Sequence, residues 1–225
     1  MRVYNEDEFR QQEDLVLKSI SEGAIYLHPT DTIYGIGCDA TNSTAVKRIR
    51  EAKQQREQPF SIIAPSKQWI TKHCVMTKEA KQWLEKLPGP YTLILTLKSK
   101  SIVAPGVVPG KDTIGVRMPD HWIQDIALAL NRPLITTSAN LHGKAFMTSL
   151  EDMAPELGHK MDFALYEGRK EGKPSTIVDL TGDVKVIPRE GRKPKLLARV
   201  LARGTSAVRR VANVGRRIGA RLRRR

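Results

Sequence analysis

The chain has 225 residues, 40% of them hydrophobic, which supports one sizeable α/β domain with or without an appendage. No apolar run approaches the ~20 residues of a membrane-spanning helix. The acidic, polar start MRVYNEDEFRQQED does not read as a secretory leader, and Cys38 and Cys74 make neither a disulfide framework nor a zinc spacing, so the expected location is cytoplasmic.

The formal charge of +14 is unevenly placed. Residues 1–188 carry 24 Lys and Arg against 23 Asp and Glu, whereas residues 189–225 carry 14 against one. The sequence therefore divides into a nearly neutral body, 1–190, and a basic tail, 191–225, and any argument about acidic partners belongs to the tail.

Along the body, residues 6–22 place Phe9, Leu15, Val16 and Ile20 among charges and predict a surface helix ended by Glu22-Gly23. Ala24–Leu27 reads as a strand that leads into HPTDTIYGIG. Ser43 is the expected cap of a helix whose apolar face is Ala45, Val46, Ile49 and Ala52. Strands follow at Phe60–Ala64, Tyr91–Leu97, Thr113–Arg117 and Pro133–Thr137. Helices are expected at Thr77–Leu87, stopped by PGP, and at Trp122–Leu130. Residues 148–157 look helical, and Phe163–Tyr166, Ser175–Leu180 and Val184–Pro188 read as short strands. Alternating strands and helices, with strands clustering late, favour one α/β domain on a twisted, partly parallel sheet.

Five polar stretches fall at strand ends or in loops: HPTDTIYGIG (28–37), KQQREQ (53–58), DTIGVR (112–117), TTSAN (136–140) and KPSTI (173–177). Strand ends are where an open α/β sheet binds ligands, and loops on a rigid sheet concentrate binding groups. The stretches offer hydroxyls, an amide and fixed cations, with no nucleophile–base pair and no carboxylate pair. That inventory suits a small polar anion beside a nucleotide phosphate, with chemistry done by positioning and charge neutralisation. Each stretch also has a plainer reading. Lys53 and Arg56 sit where cations complement a helix dipole, Arg117 closes a strand, TTSAN suits a turn or cap, and turn chemistry accounts for Pro29 and Asp31. His28 and Cys38 read as packing residues. No GxxxxGK[ST] and no GxGxxG is present.

Taken in order, HPTDTIYGIGCDA, RIREAKQQREQPFSIIA, LPGPYTLIL, TIGVRMPDH, PLITTSANLHG and KPSTIVDLTGD…VIPREG resemble the YrdC/TsaC family of threonylcarbamoyl-AMP synthases. The resemblance runs from about residue 20 to residue 191. It implies a single domain whose sheet bends around a positive concave cavity. It also implies a reaction: L-threonine, bicarbonate or CO₂, and ATP, with Mg²⁺ accompanying the ATP, give threonylcarbamoyl-AMP and pyrophosphate for threonylcarbamoyladenosine modification of tRNA, through a threonylcarbamoyl transferase partner. By the same resemblance Thr32, Arg117, Thr136 and Ser175 match threonine contacts, and a guanidinium suits the amino-acid carboxylate. Thr113, Ser138, Asn140 and Arg189 match nucleotide contacts, and Lys53 and Arg56 face the ATP phosphates and carry the catalytic assignment. Two features depart from the family. The Lys-x-Arg-Pro motif reads Lys53-Gln54-Gln55-Arg56-Glu57, and PFSIIAPS holds no histidine where many relatives have one. Ser138-Ala139-Asn140 favours the synthase branch over the related YciO branch. The rival reading is a noncatalytic RNA-binding protein that uses the cavity and the tail.

In the tail, Leu197, Val200, Leu201, Val208, Val211, Ala212, Val214, Ile218 and Leu222 recur at three-to-four spacing between arginines, which predicts a basic amphipathic helix broken at Gly204, against an unstructured solubilising tail. RNA phosphates, an anionic membrane surface and an acidic protein are all suitable partners, with tRNA or other RNA favoured. Without tail aromatics there is no base-stacking platform.

Overall fold

The computed structural model describes residues 1–55, 57–141 and 145–190. Arg56, His142 and the whole basic tail, with the helix expected there, lie outside the described residues.

In chain order the elements are β1 (Arg2–Tyr4), α1 (Glu6–Gln11), α2 (Glu13–Ser21), β2 (Tyr26–His28), β3 (Gly35–Gly37), α3 (Ser43–Lys53), β4 (Ser61–Ile63), α4 (Lys67–His73), α5 (Lys78–Leu84), β5 (Tyr91–Thr96), β6 (Thr113–Arg117), α6 (Ile123–Leu130), β7 (Leu134–Ser138), α7 (Pro155–Gly158), β8 (Phe163–Leu165), β9 (Thr176–Asp179) and β10 (Lys185–Ile187). The strands form one ten-stranded mixed sheet ordered β1-β8-β2-β3-β7-β4-β6-β5-β9-β10. Parallel pairs are β1 with β8, β8 with β2, β4 with β6, and β5 with β9; the others are antiparallel. The fold is thus α/β with a partly parallel sheet, as the element pattern implied.

Several boundaries move. The helix expected over 6–22 is two helices, because Gln12 leaves helical geometry at φ −124° and ψ 26°. Phe9, Val16 and Ile20 are buried, but Leu15 faces solvent. Asn42, not Ser43, caps α3: its side chain accepts the Ala45 N–H at 3.0 Å, and Ser43 is already helical. Residues 148–157 hold a 3₁₀ turn, Leu150–Asp152, followed by the single turn α7. β1, β3 and α4 were not anticipated.

Alternation along the central strands sorts side chains to two faces. Ile62, Leu93, Leu95, Ile114, Val116, Ile135 and Val178 join one core with Val46 and Ile49 of α3 and Ala80 and Leu84 of α5. On the opposite face Ile63 and Leu134 join a second core with Phe9, Val16, Ile20, Ile123 and Ile126 from α1, α2 and α6. Tyr26 and Phe163, stacked at 5.0 Å, extend it across β2 and β8. That second core covers only part of its face. The rest carries Ser61, Thr92, Ile94, Gly115, Arg117 and Thr136, and these residues are the floor of a cavity.

Candidate functional site

The cavity has a volume of about 510 Å³, within the range of roughly 300–1,000 Å³ usual for small-molecule sites. Gly115 keeps its floor flat: a Cβ there would stand 2.5 Å from Ser61 Oγ. Among the described residues three cations line the cavity, Lys53, Arg117 and Arg189, together with Thr30, Tyr34, Gln55, Gln58, Ser138, Asn140 and Ser175, and no carboxylate is among them.

Lys53 ends α3, where Gln54 adopts the left-handed conformation at φ 53° and terminates the helix. Its ammonium donates to Ser138 O at 2.5 Å, to Asn140 O at 2.9 Å and, more weakly, to Asn140 Oδ1 at 3.4 Å. Ser138 Oγ in turn donates to Asn140 Oδ1 at 2.5 Å. The helix end and the TTSAN turn are therefore one assembly. Burial disfavours the charged form of Lys53 and lowers its pKa to about 8.

At the other end of the floor Arg117 closes β6. Its Nη2 donates to Asp31 Oδ1 at 2.7 Å and to Thr32 Oγ1 at 3.1 Å. Its Nε is buried without a partner among the described residues. Thr30 explains the turn that brings Thr32 here: its hydroxyl accepts the backbone N–H groups of Thr32 and Ile33 at 3.1 and 3.2 Å and donates to Ile33 O at 2.7 Å. Asp31 is therefore not merely a turn residue, as the sequence suggested, but the buried ion-pair partner of Arg117, with side chains 10% and 7% exposed. Ser175 lines the cavity beside Thr92. It shares a 2.6 Å hydrogen bond with Thr92 Oγ1, and Arg189 donates to its carbonyl and its hydroxyl, both at 2.8 Å. Desolvation lowers the pKa of Arg189 as well as that of Arg117.

Of the residues singled out in the sequence, Lys53, Arg117, Thr136, Ser138, Asn140, Ser175 and Arg189 all line this cavity. Thr32 lies just behind it, on Arg117. Thr113 does not: it stands at the far end of β6, opposite Thr96, and is not among the lining residues. Arg56 is outside the described residues. His28 and Cys38 are buried, His28 between Tyr26 and the β3 glycines and Cys38 in the main core. Burial lowers the pKa of His28 to about 4 and raises that of Cys38, so neither is charged at neutral pH. Sequence reasoning missed Thr30, Tyr34, Ser61, Thr92 and the Asp31 pairing. Strand alternation alone would have found Ser61 and Thr92, which share a face with Gly115 and Arg117.

The residues from 18 to 191 match a family model, Sua5/YciO/YrdC, described as "Telomere recombination". A protein of Pyrococcus abyssi named threonylcarbamoyl-AMP synthase is 38% identical over 187 residues, covering 78% of this chain and 52% of its own length, so the chain spans about half of that relative. One of the same name from Vibrio campbellii is 33% identical over 172 residues, 73% of this chain and 91% of its own. The fold superposes on P. abyssi Sua5 complexed with L-threonine with a TM-score of 0.73 at 32% identity, covering 84% of this chain and 57% of that one. With a family model matching residues 18–191 and a relative 33% identical that is matched over 91% of its own length, the chain belongs to the Sua5/YciO/YrdC family.

Proposed function

We propose that the protein is an L-threonylcarbamoyladenylate synthase, a nucleotidyltransferase that joins L-threonine, bicarbonate-derived CO₂ and ATP into threonylcarbamoyl-AMP with release of pyrophosphate. The observation that carries this reading is one cavity holding Lys53, Arg117 and Arg189 beside hydroxyls and an amide, with no carboxylate among its described lining. Relatives named for this activity and a threonine-bound neighbour support it.

Arg117 is the partner for the threonine carboxylate, because it lines the cavity and its described hydrogen bonds all come from Nη2. Thr136 and Ser175 flank that end of the floor. Lys53, Ser138, Asn140 and Arg189 form the nucleotide end. The 3.4 Å contact of Lys53 with Asn140 Oδ1 is the weakest of its three, and a phosphate oxygen replaces it at little cost. In the reaction the threonine amine attacks CO₂ carbon and loses a proton, giving a carbamate. A carbamate oxygen then attacks the α-phosphorus of ATP, and the bond to the bridging oxygen breaks as pyrophosphate leaves. Lys53 and Arg189 stabilise the charge that accumulates on the leaving group.

Among the described residues no group of His, Cys, Asp or Glu is placed to hold a metal ion, and the lining donors are cations, hydroxyls and amides. Mg²⁺ therefore fits this site as part of the ATP substrate, on the phosphates, where it supplies charge neutralisation. The product is consumed by a threonylcarbamoyl transferase that modifies tRNA, in the cytoplasm; no described helix is long and apolar enough to cross a membrane.

Incubation with ATP, Mg²⁺, bicarbonate and L-threonine tests the reading by pyrophosphate release. Release that requires threonine is expected; its absence from well-folded protein would defeat the proposal.

A further inference from the structure

The three cavity cations are not equivalent. Every partner described for Lys53 and Arg189 is neutral: carbonyls, an amide oxygen and a hydroxyl. Arg117 alone among them carries a carboxylate, Asp31, at 2.7 Å, and that pair is almost wholly buried. Both N–H groups of Nη2 are committed, one to Asp31 and one to Thr32. Asp31 is itself fixed by its second oxygen, which accepts the Asp120 N–H at 3.4 Å. Among its described residues the cavity therefore has one cation neutralised from behind and two that are not.

In a partly desolvated site this difference decides where anions go. A polyphosphate gains in proportion to its several charges from an unneutralised cation, whereas a single carboxylate gains from one charge only. A neutralised guanidinium still offers the hydrogen bonds of Nη1 to a carboxylate, while its pull on a dianion is largely cancelled. We propose that Asp31 is a specificity-determining positioning residue: by neutralising Arg117 it reserves that end of the cavity for the carboxylate of a net-neutral amino acid and leaves polyphosphate to Lys53 and Arg189. The identity of the two ligands rests on the function proposed above; the charge partition itself does not.

The test compares wild-type protein with Asp31→Asn and Asp31→Glu. Asparagine keeps a carbonyl oxygen for Arg117 Nη2 and removes only the charge; glutamate keeps the charge on a longer arm. Binding of inorganic phosphate, measured by calorimetry without other ligands, is expected to be about tenfold tighter in Asp31→Asn than in wild type. Phosphate should also become competitive with L-threonine in that variant. Asp31→Glu should retain the wild-type preference even if its threonine affinity suffers from misplacement. Folding of each variant is checked first by thermal unfolding. Equal phosphate affinity in wild type and Asp31→Asn, or the same gain in Asp31→Glu, would overturn the proposal. Failure of threonine to bind any of the three would instead count against the proposed substrate, and the phosphate measurement would still read Asp31.

Discussion

Lys53 and His28 are both buried bases, and burial acts on them in the same direction with different consequences. The Lys53 ammonium, with a pKa near 8, is mostly charged at neutral pH and is lost as pH rises through that value. Since kcat/KM reports the free enzyme, its value for ATP is expected to fall above about pH 8. In Lys53→Arg the fall should vanish at a lower plateau, and Lys53→Ala should lose 10²-fold or more, on the order of 3 kcal/mol of leaving-group stabilisation. A steady-state pH profile of the three proteins checks this. His28 concerns stability instead. Its Nδ1 lies 3.0 Å from the Pro29 carbonyl, and its Nε2 is buried with no partner among the described residues. The folded pKa, about 4, lies below the usual 6.5, so the unfolded chain takes up the proton first. Its neutral form is therefore no burden above pH 6.5, and stability drains away as pH falls from 6.5 towards 4, by on the order of 3 kcal/mol in full. His28→Phe removes this loss and the unpartnered Nε2, and it also removes the Nδ1 hydrogen bond to Pro29. Denaturant melts at pH 7 and pH 4.5 should show the variant losing clearly less stability than wild type between the two; equal losses in both would show that other groups govern acid unfolding.

At the scale of elements, the strands built from strong patterns were legible and the others were not. β6 falls where TIGVR placed it, β5 ends one residue early, and β7 is shifted by one residue at both ends. β3 was hidden because Gly-Ile-Gly has little β propensity; it is a strand because β2 and β7 pair with it on both sides. The 6–22 helix was read as one because its apolar spacing is continuous, and nothing in that spacing reveals the break at Gln12. Lys53 was legible as a helix-end cation, but its grip on the 138–140 turn was not, since a contact across some 85 positions leaves no local pattern. The segment after β8 packs against the 30–34 turn from behind. Tyr34 donates to the Gly168 carbonyl at 2.6 Å, and Gly172 passes so close to Thr32 that a Cβ would stand 1.8 Å from the Thr32 carbonyl oxygen. Gly172→Ala must therefore push this segment off Thr32. The expected result is a severalfold rise in KM for threonine with KM for ATP nearly unchanged, read from initial rates with each substrate varied in turn.

For the whole molecule, composition separated a balanced body from a cationic tail, and ordered motifs led to the family before any coordinates. What they could not convey was the division of labour within the cavity: which cation is neutralised, and that Thr113 is left out. The tail contributes a prediction from charge alone. With 13 Lys and Arg after Glu190 and no acidic residue, it should bind tRNA with strong salt dependence. Replacing its arginines with Gln in the full-length chain should weaken binding and flatten the salt slope, and an unchanged slope would rule out tail contacts to phosphate.

Arg189, which grips Ser175 from the far end of the body, also bears on biogenesis. The cavity takes its first lining residue at position 30 and its last at position 189. During vectorial synthesis the early strands leave the ribosome long before that last cation does. A nascent chain can thus carry most of the strand sequences and still lack the last cation of the cavity, which is complete only once the body is essentially made.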